Sequence, residues 1–136
     1  MKKHFIKKLY CTFALLVFSF IAGGEEQEDI QSDLKLKLVG EWQVSLYYSP
    51  TSPPSSTQMT ITKVNDDGTL EGDFYQTSFQ TARYTFYENT LIFALITSDN
   101  SGLYSTSGRM TIEGDIEGQT LSEGRNFLMA WSANKN

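Results

Sequence analysis

The chain has 136 residues, with 11 Lys+Arg against 16 Asp+Glu, a formal net charge of −5, one cysteine and one histidine. That length supports one small domain, and the acidic surface repels nucleic acid and anionic membrane, which excludes both as expected partners. His4 and Cys11 stand near the start, so the rest of the chain lacks the side chains for a disulfide, a Ser-His-Asp triad, a Cys or His nucleophile, or the usual zinc site.

Met1 to Lys8 is basic, and Leu9 to Ala22 is almost unbroken in its apolar character. The apolar run falls short of the roughly 20 residues that cross a bilayer and ends in small side chains, so it reads as a cleaved secretory signal peptide over residues 1–24. Glu25 is the expected mature start. Cys11 lies at the front of the apolar run, whereas a lipid-anchored precursor carries its cysteine at the cut. Four of the 11 cations and none of the 16 acids leave with the signal, so the remainder balances at 7 against 16, or −9. Glu25-Glu26-Gln27-Glu28-Asp29 opens a segment, 25–35, expected to be an acidic flexible tether. A single domain is expected over 36–136, with one short helical turn within Ile30 to Val39.

From Leu38 to Tyr48, Trp42, Val44, Leu46 and Tyr48 alternate with Glu41, Gln43, Ser45 and Tyr47. That period of two predicts a half-buried β-strand. Ser49 to Ser56, with its three prolines, is a loop. Thr57 to Val64 and Leu70 to Tyr75 form the next strands about Asn65-Asp66-Asp67-Gly68, whose Asp-Gly suits a hairpin tip. The carboxylates there lack the spacing of a calcium loop, and a plain turn is expected. Further strands are predicted over Phe79–Tyr87, Thr90–Thr97, Leu103–Glu113, Asp115–Ser122 and Arg125–Ser132. Leu91 to Ile96 is apolar on both faces, which points to a strand covered on both sides or to a contact between copies of the chain.

Eight short strands joined by short turns predict an all-β fold, a small eight-stranded antiparallel up-and-down β-barrel whose first strand pairs with its last. A two-sheet β-sandwich is the alternative. Alternate connections in a meander lie at the same end, so the proline loop, Gln76–Ser78, Ser98–Gly102 and Glu123-Gly124 gather at one end and form the expected mouth.

Parity places Trp42, Trp131 and Phe127 in the core, and Tyr48, Tyr104 and Arg125 inward near the mouth. An inward Arg there either binds a ligand carboxylate by paired hydrogen bonds or makes a structural ion pair with Glu123. Arg83 fits either face, and the outward one avoids burying a charge. Arg109 falls outside, as do Glu71 with Asp73 and Asp115 with Glu117, which argues against glycosidase-type acid/base chemistry.

Gly40-Glu41-Trp42 opening the first strand, then Met59-Thr60-Ile61 and Gly68-Thr69-Leu70-Glu71-Gly72, resembles the calycin-type barrels, the lipocalins and especially the avidins, over about the first three strands. Where the avidin ligand segment would follow, this chain has Ser45-Leu46-Tyr47-Tyr48 and the proline loop, so biotin binding is not carried over. Gly108-Arg109, Glu117-Gly118, Gly124 to Leu128 and Trp131-Ser132-Ala133 look similar to small exported bacterial proteins of unassigned function, which implies a location and not an activity.

The expectation is therefore an exported, periplasmic or extracellular protein that is not an enzyme, takes no cofactor or metal, and binds a small apolar or amphipathic ligand, carboxylates included, at one barrel end. No stable membrane insertion is expected after signal cleavage. Protein–protein contact in the cell envelope, homo-oligomers included, is the alternative, and a carboxylate-based hydrolase the third.

Overall fold

Ile30, Leu34 and Leu38 recur every four residues, the spacing that aligns side chains along one helix face. In the computed structural model, which describes residues 26–135, helix α1 runs over 26–38. The expected signal peptide, with His4 and Cys11, lies outside the described residues. Leu34 and Leu38 are 1% and 0% exposed, and Ile30 packs on the same core. From residue 26 onward, the acidic segment expected as a tether is thus helical. Glu26, Glu28 and Asp29 stand in its first turn, where carboxylates favour the positive end of the backbone dipole. No helix among the described residues is long and apolar enough to cross a membrane.

Nine strands follow: β1 Gly40–Tyr47, β2 Ser55–Val64, β3 Leu70–Phe74, β4 Thr77–Ser78, β5 Thr81–Tyr87, β6 Thr90–Asp99, β7 Gly102–Met110, β8 Ile116–Ser122 and β9 Phe127–Lys135. They form one antiparallel sheet ordered β4-β3-β2-β1-β9-β8-β7-β6-β5. The first strand pairs with the last, from Trp42 opposite Lys135 to Tyr47 opposite Ala130. The fold is all-β, but the sheet has nine strands where eight are expected, and it is not closed by a continuous ladder. Its break falls between β3 and β5, bridged at Thr69 and Arg83. The extra strand arises because the predicted loop Gln76–Ser78 turns at Tyr75 and Gln76, both at positive φ, and returns along β3.

Alternation dictates the faces. Trp42, Val44 and Leu46 are buried from β1, and Leu91, Phe93 and Leu95 from β6, while Ile92 and Ala94 are exposed. Arg83 and Arg109 lie outward, and Ala82 beside Arg83 is buried. Gly108 and Gly118 are paired across β7 and β8. A side chain on Gly108 would overlap the Phe93 ring, and one on Gly118 the Trp131 ring, so this glycine pair lets both aromatics lie flat on the sheet. Trp131 also packs on Phe74 at 5.3 Å between ring centroids.

The helix covers the end of the sheet that carries the tight turns. Lys35 Nζ meets Asp66 Oδ1 at 3.0 Å, Gln27 donates to the Glu88 carbonyl at 3.0 Å, and Lys37 to the Ile112 carbonyl at 3.4 Å. Lys135 Nζ donates to the Lys37 carbonyl at 2.6 Å. Each of the three turns at this end is therefore tied to α1, and the opposite end carries the remaining loops. Ile112, expected as a strand residue, stands in one of these turns and is 54% exposed.

Candidate functional site

At the uncovered end, β1 ends just before Tyr48, β7 brings Tyr104, and the 123–126 turn brings Arg125 to one small cavity. Phe127, the first residue of β9, lines the same cavity and is the ring on which the others meet. The Tyr48 ring meets Phe127 edge-on at 6.5 Å, Tyr104 packs against it at 6.4 Å, and the Arg125 guanidinium lies 5.3 Å from its centroid. Packing of a cation and two rings about one aromatic ring pre-orders the side chains.

Arg125 differs from its expected setting. It lies in a turn, not on a strand, with its N–H on Ser122 Oγ at 3.2 Å and with Asn126, at φ 54°, between it and Phe127. A left-handed residue resets side-chain parity, so Arg125 is exposed at the lip instead of pointing inward. Phe127 is half-buried at the rim, a correction to its expected place in the core. Trp42 and Trp131 are buried at 1% and 2% exposure.

The ion pair between Arg125 and Glu123 is not formed, and among the described residues no carboxylate lies within pairing distance of Arg125. The guanidinium's pKa is raised above its ordinary value, chiefly by the neighbouring Tyr104 hydroxyl; desolvation opposes this, and Asp99 adds a smaller electrostatic contribution in the raising direction.

Below the rim the floor is polar. Thr97, Thr106 and Thr120 occupy buried positions, at 4%, 2% and 3% exposure, and the Thr106 and Thr120 hydroxyls share a hydrogen bond of 2.9 Å. The three alternate in register with apolar neighbours such as Leu95, Met110 and Ile116, so parity could have found them. Asp99, which also lines the cavity, is the other functional candidate missing from the sequence reading. The cavity holds about 60 Å³. That is room for a few water molecules, well short of the roughly 300 Å³ at which pockets enclosing a whole drug-sized molecule begin.

The acid pairs lie elsewhere. Asp115 and Glu117 are exposed, and Glu71 accepts from Asn65 Nδ2 at 3.2 Å. Asp67, in the β2–β3 turn, accepts from the Thr69 N–H and hydroxyl at 3.0 and 2.6 Å, which occupies one carboxylate oxygen within the turn. Compared with known proteins, the sequence matches no protein-family model and no curated protein.

Proposed function

We propose that this protein is exported, folds as a calycin-like barrel, and binds a small carboxylate-bearing ligand through Arg125, Tyr104 and Tyr48 at the end opposite the helix, without catalysing a reaction. The observation that carries the reading is the convergence of these three side chains on Phe127 above a buried threonine floor. The cavity volume limits what is enclosed to a head group; the apolar part of the ligand lies along the Tyr48 and Phe127 rings at the rim. Export follows from the basic and apolar composition of residues 1–24, and the non-catalytic reading from a chain without His or Cys after Cys11.

Closure as an eight-stranded barrel is supported along the β3–β5 break. Only Phe79 and Gln80 separate β4 from β5; Phe79 N donates to the Gly72 carbonyl at 3.0 Å and Gln80 N to the Ile96 carbonyl at 2.8 Å. Residues 77–87 then act as one strand with β3 on one side and β6 on the other. Tyr84 N, donating to the Gly68 carbonyl at 3.0 Å, continues the same seam.

Calorimetric titration with benzoate and 3-phenylpropionate tests the binding reading. Saturable binding is expected, weakened about tenfold by Arg125→Met through loss of a charge-assisted pair at an exposed site. Absence of binding by both acids, or unchanged affinity in the variant, would remove Arg125 from any such role.

A second reading rests on the outer face of β5 to β8. Ile92, Ala94 and Ile96 line two shallow grooves there, of about 760 and 550 Å³, together with Arg83 and Gln119. Self-association through this face would appear as a concentration-dependent mass in sedimentation equilibrium, abolished by Ile92→Glu.

A further inference from the structure

We propose that the ligand of this site is a zwitterion of the α-amino acid class, its carboxylate held by Arg125 and its ammonium by Asp99. The proposal rests on the carboxylate-binding reading above and adds the second charge.

Asp99 and Arg125 are the charged side chains among the cavity's lining residues, and they are of opposite sign. Among the described residues neither makes an ion pair, with the other or with any third group. Two opposite charges that line one cavity without pairing leave a complementary pair of positions for a ligand that carries both signs. A ligand with a carboxylate alone would meet attraction from Arg125 and repulsion from Asp99. An ammonium on the same molecule turns that repulsion into attraction, so the lip discriminates in favour of the zwitterion.

The two charges are also held in place relative to each other. Asp99 ends β6, and its Oδ1 accepts from the Ser101 N–H at 2.7 Å, which orients the carboxylate and leaves Oδ2 without a partner in that turn. Arg125 stands in the adjoining turn, where Gly124 lies directly against the Ser101 carbonyl. Any side chain on Gly124 would overlap that oxygen. Backbone contact between the turns thus sets the spacing of Asp99 and Arg125 before a ligand arrives, and pre-set geometry lowers the ordering cost of binding. The aromatic rim suits the same ligand, because the Tyr48 and Tyr104 rings favour a neighbouring ammonium. The enclosed volume of about 60 Å³ takes the charged head group, with the side chain left at the rim.

Calorimetric titration of the purified protein with L-phenylalanine, 3-phenylpropionate and phenethylamine separates the contributions, since the three share a phenyl group and differ in charge. Phenylalanine is expected to bind about tenfold more tightly than either singly charged probe. Asp99→Asn keeps an acceptor for the Ser101 N–H; it should reduce phenylalanine to the level of 3-phenylpropionate and leave 3-phenylpropionate unchanged or tighter. Asp99→Ser provides the same comparison should the Asn variant fail to fold. If 3-phenylpropionate binds, is weakened by Arg125→Met, and equals or exceeds phenylalanine, the zwitterion proposal is overturned while the carboxylate reading stands. Equal loss of both ligands in the Asp99 variants also overturns it. If none of the probes binds, both readings fall together.

Discussion

Trp42 and Trp131 have nearly the same burial but different polar environments. The indole N–H of Trp42 donates to the Leu38 carbonyl at 2.9 Å, which satisfies one of the orphan carbonyls at the end of α1, and Lys135 Nζ lies 5.5 Å from its ring centroid. The Nε1 of Trp131 is buried without a partner. Truncation of either to Ala removes a large core ring and is expected to cost about 3–5 kcal/mol. Phenylalanine separates them: Trp42→Phe should cost about 1 kcal/mol more than Trp131→Phe, the net worth of a hydrogen bond, because only the first orphans a buried carbonyl. Denaturant midpoints measure the difference, and equal costs would show that the Leu38 contact is not stabilising. A second residue-level expectation concerns Asp67, whose hydrogen bonds from Thr69 hold its carboxyl below the usual range. Its folded pKa is depressed, so its contribution is complete above the ordinary carboxylate range and is lost as pH falls through the lowered value. Asp67→Ala should therefore narrow its gap to the wild type as the solution is acidified, and a gap independent of pH would contradict the assignment.

The helix over 26–38 is the element that a period-two reading overlooks. Its apolar stripe is only Ile30, Leu34 and Leu38, and the acids ahead of it mask the pattern as a charged tether. Tertiary burial decides the matter, since a helix this short is marginal in water without a surface to pack on. Leu34→Ala and Leu38→Ala should each destabilise by about 2–5 kcal/mol, as large-to-small changes in a core do. Thermal or urea unfolding reads this directly, and values within about 0.5 kcal/mol, typical of surface sites, would return the segment to a tether. At the other end of the chain, the predicted strand from Arg125 begins instead at Phe127. The turn closed by Asn126 N on the Glu123 carbonyl at 3.2 Å precedes it, which is why parity counted back from Trp131 misplaced Arg125.

For the molecule as a whole, what matters is how the sheet meets itself. Pairing of β1 with β9 joins the first strand to the last, and α1 is tied to the turns at one rim, so the loops at the other rim are left uncovered by the helix. The proposed closure between β3 and β5 predicts a hydrogen-exchange pattern. The Phe79, Gln80 and Tyr84 amides should exchange as slowly as those in the middle of β6, because each is held across the seam or at its margin. Fast exchange at all three would leave β5 as an open edge, with the association hazard such edges carry.

The alternation of apolar and polar residues along each strand was legible without the fold, because side chains leave a strand on opposite faces whatever its neighbours are. That local rule placed Trp42 and Trp131 inside and Arg109 outside, while Arg83 fitted either face until the buried Ala82 beside it settled the matter. The same rule brought Tyr48 and Tyr104 to the rim. What the chain could not carry locally was settled by contacts distant in sequence: the docking of α1, the meeting of the 123–126 turn with Ser101, and hence the spacing of Arg125 from Asp99. Positive φ at Tyr75, Gln76 and Asn126 reset the parity on which the local reading depends. Only the packed structure decides where such residues occur, because turn geometry answers to the strands on either side as well as to the residues within the turn.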